Sequence, residues 1–302
     1  MESRSSDRAG EVRDIVAAQL PRCRIDSVDL LGAGQDNTAY EVDGELIVRF
    51  SDEPDPQRRA AKVNDEAELL AAVAAISPLP VPEPAFTVAE RGCLAYVKIP
   101  GVPLIDLPLP QRSAHSMSIA AALGELLSVL HRAPLARMAE LVDADDQPNA
   151  VWLAEAAEMY DTLASWVPAA HRPAVEAFLA TPPPADGQEL VFSHNDLGIE
   201  HVLVDPDTGK VTGIIDWSDA AIVDPAYDFG LICRDLGPQA VRVALRDYHA
   251  DPHEIEAIST RAVFYARCSV LEDLAYGVET GHRKYLDNGL AALQWLYPAQ
   301  PD

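Results

Sequence analysis

FSHNDLGIEHVLVD, residues Phe192–Asp205, sets two histidines, an aspartate and a glutamate inside an apolar frame. Val191 and Phe192 precede His194, Asp196, Glu200 and His201, and Val202, Leu203 and Val204 follow them. Burying an unpaired charge is costly, so polar groups in this setting need partners or a chemical task. A second stretch, GIIDWSDA (Gly213–Ala220), carries Asp216 directly after the apolar strand Val211–Ile215. Pro206-Asp207-Thr208-Gly209 between them is a turn sequence. Pairing 202–204 with 211–215 as a hairpin puts the residues before 202 and after 215 at one end. His201 and Asp216 then become neighbours, with Asp196 close by on the preceding loop.

Such a cluster suits phosphoryl transfer. One carboxylate accepts the proton of an attacking hydroxyl, and a second carboxylate with a nearby ligand holds Mg²⁺ on nucleotide phosphates. Positioning and charge neutralisation supply most of the catalysis. Either aspartate alone would read as a solvated loop acid. Both at one end of one hairpin make that the weaker reading.

Working towards the N-terminus, residues 8–20 have helical spacing, with Val12, Ile15, Val16 and Leu20 apolar and a stop at Pro21. SVDLLGAGQDNTAYEVDGELIVRF (27–50) predicts three short antiparallel strands, and Asp43-Gly44 is a two-residue hairpin signal. Gly32-Ala33-Gly34-Gln35-Asp36-Asn37 between the first two strands is a Gly-rich bend through which backbone can approach a phosphate. A Gly-rich hairpin is more often only a turn, and this one does not open a helix as a dinucleotide fingerprint does. Arg49 sits in an apolar strand and needs a partner; Glu66, on a helix expected near 57–76, is the natural one. The bland reading is a surface ion pair worth under about 1 kcal/mol. Two more strands are expected at 86–88 and 94–97, and KIPGVPL (98–104) breaks regular structure. The expected boundary separates a β-rich lobe, residues 1–98, from a mainly helical lobe, residues 99–302. Helices are expected at 113–132, 150–165, 171–180 and from about 238 to 297, with strands and turns at 189–225. Ligands tend to bind where two such lobes meet.

The 302 residues, 48% hydrophobic and 24% charged, are ample for two lobes with a sizeable core. Four cysteines lack metal-ligand or CxxC spacing and read as reduced thiols. The N-terminal segment has no apolar h-region, and no apolar run approaches 18 residues, so a cytoplasmic location without membrane or secretion is expected. A formal charge of −25 argues against nucleic acid and agrees with a cationic small-molecule partner, although solubility alone explains such a charge more often.

HNDLGIEHVLVD followed by GIIDWSDAAIVDPAYDF resembles the signature of antibiotic phosphotransferases with a protein-kinase-like fold. GAGQDNTAYEVDGELIVRFS resembles their nucleotide-covering loop and third strand, KIPGVPL their hinge exit, and LEDLAYGVETGHRKYLDNGL their C-terminal helices. The pattern resembles most the aminoglycoside 2''-phosphotransferases and next the macrolide 2'-phosphotransferases. The resemblance implies an α+β, bilobal, protein-kinase-like fold and roles position by position. Asp196 is the catalytic aspartate and His194 shapes its loop. Asp216 is the main Mg²⁺ ligand, and His201 stands where most kinases have a metal-binding Asn. Gly32, Gly34 and Asn37 belong to the nucleotide loop, Arg49 replaces the phosphate-binding Lys, and Glu66 is its partner. Tyr96 falls at the gatekeeper position, with Lys98 and Ile99 at the base hinge; such a gatekeeper goes with GTP in the 2''-enzymes, and ATP is the second possibility. His201 is unusual for an ion that prefers oxygen. Arg49 changes geometry, since a planar fork suits bidentate contacts.

The acceptor is expected against the helical lobe. Glu200, Asp219, Asp235, Glu272, Asp273 and Glu279 are candidate partners for its ammonium groups, and Tyr285 for stacking on a sugar ring. Trp295 reads better as core. A macrolide would need an apolar trough instead. The same residues are also compatible with a metabolic small-molecule kinase and with a catalytically silent kinase-like binding protein. A monomer is the expected state. No activation-loop segment ending in Ala-Pro-Glu follows Asp216, which argues against a protein kinase.

Overall fold

A computed structural model describes residues 2–33 and 37–299. The chain forms two compact units, Met1–Ile76 with Pro80–Ile99, and Ser77–Leu79 with Pro100–Asp302.

The first unit is a five-stranded antiparallel sheet with two helices. Its elements are α1 (Glu2–Gln19), β1 (Val28–Ala33), β2 (Asn37–Val42), β3 (Leu46–Ser51), α2 (Pro56–Ala74), β4 (Pro84–Val88) and β5 (Cys93–Val97). The strand order is β1-β2-β3-β5-β4. The turn between β2 and β3 forms at Asp43-Gly44, both with positive φ (53° and 73°), and pairs Val42 with Leu46. Only a left-handed pair there matches the strand twist. The Asp43 carboxylate also accepts the Asp26 and Ser27 N–H groups, fixing the chain ahead of β1. Val12, Ile15 and Val16 of α1 pack with Tyr40, Val48, Phe50 and Ala95 of the sheet. At the start of α2, Asp55 accepts the Gln57 and Arg58 N–H groups and Pro56 opens the first turn.

The second unit holds β6 (Val102–Pro103), α3 (Leu109–Leu130), α4 (Leu135–Met138), α5 (Asn149–Leu163), α6 (Arg172–Leu179), β7 (Val191–Ser193), β8 (Val202–Val204), β9 (Val211–Ile214) and β10 (Ala221–Val223). It ends with α7 (Ala226–Leu236), α8 (Pro238–Ala244), α9 (Pro252–Thr280) and α10 (Arg283–Leu296). The short strands form two small sheets, β6-β8-β9 and β10-β7. The expected hairpin is β8 against β9, with Val202 opposite Ile214.

Helix α7 falls in the stretch 226–237, for which the sequence pattern predicts no element. Every residue from Ala226 to Asp235 is buried; its polar side chains Asp228, Arg234 and Asp235 face buried partners and not water. Helix α3 is, by length and composition, long and apolar enough to cross a membrane, contrary to the expectation that no such stretch exists. Half of its apolar window is buried inside the protein, where it packs on α7 and α8.

Candidate active site

The loop 194–201 runs from β7 to β8, and its shape is set by Asp228 on α7. Asp228 is fully buried and accepts hydrogen bonds from Ser193 Oγ (2.5 Å), Asn195 N (2.9 Å) and Leu197 N (3.1 Å). One side chain thereby supplies the acceptor for three donors, two of them backbone N–H groups that would otherwise lack one. The loop's other half is held by Asp235, whose Oδ2 accepts Ile199 N at 3.2 Å. Asn195 takes a left-handed backbone, φ 62°, and so does Asp216, φ 60°. Strain of this kind in non-glycine residues persists only where surrounding contacts impose it.

The β8–β9 hairpin brings His201 and Asp216 together, and the Ile215 N–H donates to His201 O at 3.0 Å. His201 Nδ1 lies 2.8 Å from the Asp196 backbone oxygen and 3.3 Å from Asp196 Oδ2, while its Nε2 lies 3.8 Å from Asp216 Oδ2. A carbonyl only accepts, so Nδ1 carries a proton and Nε2 faces Asp216. The imidazole thus bridges the two carboxylates. Ser218 Oγ donates to Asp216 Oδ1 at 2.8 Å. Burial by itself lowers the His201 pKa, but Asp196, Glu200 and Asp216 outweigh it and the net shift is upward. Although 40% of the Asp196 side chain is open to water, burial pushes its carboxyl up, to about 7, against the pull of His201. Glu200 and Asp219 push the same way and Arg234 opposes. Upward is the direction its crowded setting dictates; a carboxylate there is a stronger base than a free one.

His194 is fully buried and donates through Nε2 to Ile215 O at 3.1 Å, tying the loop to the strand that precedes Asp216. Its ring lies 4.5 Å from that of Trp217. Burial lowers its pKa to about 3, so the ring is neutral.

In the first unit, Arg49 Nη1 lies 2.8 Å from Glu66 Oε1, with side chains only 13% and 19% exposed, so the pair is less screened than a surface bridge. Tyr96 is half-buried beside this strand, opposite Ile47. Lys98 is tied to Glu41 at 2.5 Å, its N–H donates to Glu45 O, and Ile99 is buried. Gly32 on β1 and Asn37 on β2 flank the Gly-rich bend. Gly34 lies outside the described residues.

The acidic residues read as ammonium partners divide into two groups. Asp235 and Asp273 are buried and committed to Arg234, at 2.8 Å and 3.2 Å, and Glu200 lies 3.9 Å from the same guanidinium. Their job here is to neutralise Arg234, because a buried arginine needs counter-charges; for Asp235 and Asp273 this replaces the expected role of amine ligand. Asn288 on α10 extends the network, donating to Asp235 and accepting from Arg112. Asp219, Glu272 and Glu279 remain exposed. Tyr285 is half-buried with its ring 4.8 Å from Tyr276, and Trp295 donates its indole N–H to Cys233 O. Sequence reasoning gives Asp228 and Arg234 no role, although Asp228 lies within the quoted signature. Their burial, the sign of their task, is a tertiary property.

A divalent cation fits this donor set only in part. Among the described residues no group of three or more His, Cys, Asp or Glu side chains is arranged to hold a metal alone. Mg²⁺ does not require one, since it keeps several waters and binds through one or two carboxylates plus substrate phosphates. Asp216, 41% exposed, supplies such a carboxylate, and the Nε2 edge of His201 lies beside it.

Residues 27–258 match the family model APH, described as the phosphotransferase enzyme family. A curated relative, the aminoglycoside 3'-phosphotransferase of Streptomyces fradiae, is 29% identical over 171 residues, 52% of this chain and 59% of the relative. The chain therefore aligns with less than two thirds of that relative's length. Among solved structures, the GDP complex of wild-type aminoglycoside 2'-phosphotransferase-IIIa superposes with TM-score 0.68 at 21% identity, covering 96% of this chain and 98% of that one. The macrolide 2'-phosphotransferase MphH from Brachybacterium faecium, an apoenzyme, gives TM-score 0.63 at 23% identity, covering 98% and 100%. At these identities the likeness establishes the fold, which is the α+β kinase-like fold expected from the sequence.

Proposed function

This chain belongs to the phosphotransferase enzyme family, and we propose that it transfers the γ-phosphoryl group of a nucleoside triphosphate to a hydroxyl of an aminoglycoside, with 2''-type regiochemistry, and so confers resistance. The observation that carries the reading is His201 bridging Asp196 and Asp216 at one end of the β8–β9 hairpin. Asp196 accepts the hydroxyl proton as the acceptor oxygen bonds to phosphorus and the bond to the diphosphate oxygen breaks. Its raised pKa suits that role, because a base is most useful near the working pH. Asp216, with His201 directly or through water, would hold Mg²⁺, which would neutralise charge on the transferring phosphates. Arg49, oriented by Glu66, would bind phosphate as a planar fork. The half-buried Tyr96 favours GTP over ATP.

The exposed acids Asp219, Glu272 and Glu279, with Tyr285, are the remaining candidates for a polyamine acceptor. A specific observation favours a macrolide as the second reading: Arg234 occupies Asp235 and Asp273 and draws on Glu200. That leaves fewer free carboxylates for a ligand with many amines than for one with a single dimethylamino group. The deciding experiment is diphosphate release with GTP and Mg²⁺ across aminoglycosides and macrolides. Stimulation by aminoglycosides alone supports the first reading and by macrolides alone the second. No stimulation by either class, with GTP and then ATP, overturns both.

A further inference from the structure

His131 follows the last residue of α3, and both nitrogens of its ring are engaged. Nε2 lies 3.0 Å from Ser193 Oγ, and Nδ1 lies 2.8 Å from the hydroxyl of Tyr248. Ser193 Oγ in turn donates to Asp228 Oδ2, on the carboxylate that shapes the loop 194–201. Four side chains thus form one line through the second unit. They come from the segment between α8 and α9, the end of α3, β7 and α7. The half-buried Tyr248 is the outer end of the line.

The direction of each hydrogen bond follows from the inner end. Asp228 accepts backbone N–H groups on both oxygens, Asn195 N on Oδ2 and Leu197 N on Oδ1. A backbone N–H only donates, and with both oxygens accepting the carboxyl is ionised. The single hydroxyl proton of Ser193 is spent on Asp228, so towards His131 Ser193 Oγ only accepts. His131 Nε2 therefore carries a proton. Burial lowers the pKa of this ring to about 3, so it is neutral, and a neutral imidazole has one N–H. Nδ1 is then an acceptor, and the Tyr248 hydroxyl is its donor. Burial raises that hydroxyl to about 12, which keeps its proton in place. Ring contacts fix the plane of the imidazole. His131 stands edge-on to Phe229 and to Tyr248, with centroids 5.9 Å and 5.5 Å away, and Phe229 and Tyr248 are 5.4 Å apart. Phe229 is the neighbour of Asp228 on α7.

We propose that Tyr248 is a positioning residue for the loop 194–201, because it holds His131 in the Nε2–H tautomer, the neutral form able to donate to Ser193. Without the Tyr248 hydroxyl, Nδ1 has no donor, and the preference for a proton on Nε2 is weakened by one hydrogen bond. In the other tautomer a bare Nε2 faces Ser193 Oγ. Either two lone pairs meet there, or Ser193 turns its proton to the ring and Asp228 loses a donor. Both changes loosen the acceptor on which the Asn195 and Leu197 N–H groups depend, and Asp196 sits between those two residues. The bearing on turnover rests on the reading of Asp196 as the base; the bearing on the loop does not.

The test uses the full chain with isotope-labelled histidine. The ring-nitrogen NMR signals of His131, identified by their loss in His131→Gln, show the neutral Nε2–H form at neutral pH. Tyr248→Phe removes only the hydroxyl. It shifts the Nδ1 signal towards that of an unbonded nitrogen and speeds amide hydrogen exchange at Asn195 and Leu197 about three- to tenfold, with Val48 in β3 unchanged. kcat falls by a similar factor and KM for the nucleoside triphosphate is kept. His131→Gln puts an amide donor near the place of Nε2 and has no tautomer to choose, so in that background Tyr248→Phe adds nothing to the exchange rates. An Nδ1–H or doubly protonated ring in the parent protein overturns the proposal. So does unchanged exchange at Asn195 and Leu197 in Tyr248→Phe, equal acceleration at Val48, or the same acceleration in the His131→Gln background. A loosened loop with kcat unchanged overturns the link to turnover alone. Tautomer and exchange are read without nucleotide or acceptor, so they decide the role of Tyr248 even where no drug stimulates turnover.

Discussion

Asp196 and Asp228 belong to the same short stretch of fold and have opposite surroundings. Asp228 has no exposed surface and three hydrogen-bond donors converging on it. Asp196 has 40% of its side chain open and the titratable His201 at 3.3 Å. Burial raises the pKa of both. In Asp228 hydrogen bonds from Ser193, Asn195 and Leu197 offset that rise, and the group is fixed in place. In Asp196 the main offset comes from a second titrating group, and the proton remains exchangeable. The difference separates a carboxylate that builds the loop from one that can do chemistry on it.

The sharpest break of this comparison is to remove each carboxylate in turn. Asp196→Ala should lower kcat by about 10³-fold or more with nucleotide affinity and melting temperature kept; unchanged turnover would remove Asp196 as the base. Asp228→Ala should act through folding. It leaves the Asn195 and Leu197 N–H groups without an acceptor, at about 1–3 kcal/mol each, while Ser193 Oγ keeps His131 Nε2 at 3.0 Å, so the urea midpoint should fall by the equivalent of about 2 kcal/mol or more. A stable, fully active variant would show that the loop does not need its clamp.

Acidity tests the pair more gently. The acidic limb of kcat/KM should lie near 7, with about a tenfold loss per pH unit below it, because Asp196 titrates at about 7. His201→Asn removes the cation that pulls Asp196 down, so the limb should move to higher pH. Stability should run the opposite way to activity. A carboxyl raised in the folded state holds its proton more tightly there than in the unfolded chain. Its contribution is complete below the unfolded value and is lost as pH rises through about 7. His201, also raised, loses its contribution as pH climbs past its own folded value. A limb near 4 in the activity profile would contradict the burial of Asp196. The smallest expected effect lies in the other unit, where Tyr96→Ala should lower the GTP-to-ATP ratio of kcat/KM by a few-fold. An unchanged ratio would take the gatekeeper role from Tyr96.

The signals legible in the sequence are local ones. Asp43-Gly44 demands a left-handed turn, and the register of β2 and β3 follows from it. Pro206 to Gly209 forms a turn as well, and the meeting of His201 with Asp216 follows from that. Arg49 in an apolar strand calls for a partner one helix away and has Glu66. Helix α7 escapes notice because it is short and its polar residues, Asp228, Arg234 and Asp235, are turned to buried partners instead of solvent. Asp235 and Asp273 mislead for a related reason: an acidic residue on a helix looks solvent-facing until the position of Arg234 is known.

Local sequence signals specify the turns, the succession of strands and helices, and the placement of two aspartates and a histidine at one hairpin end. All of these depend on residues within a few positions of one another, or across one tight turn. Which acids are free depends on tertiary packing. Arg234 takes Asp235 and Asp273, Asp228 takes the loop amides, and Arg261 takes Asp224, while among the described residues Asp145, Asp146 and Asp186 pair with no Lys or Arg. Solvation and pairing of a charge depend on everything packed around it, including side chains more than a hundred positions away, and no local pattern encodes them.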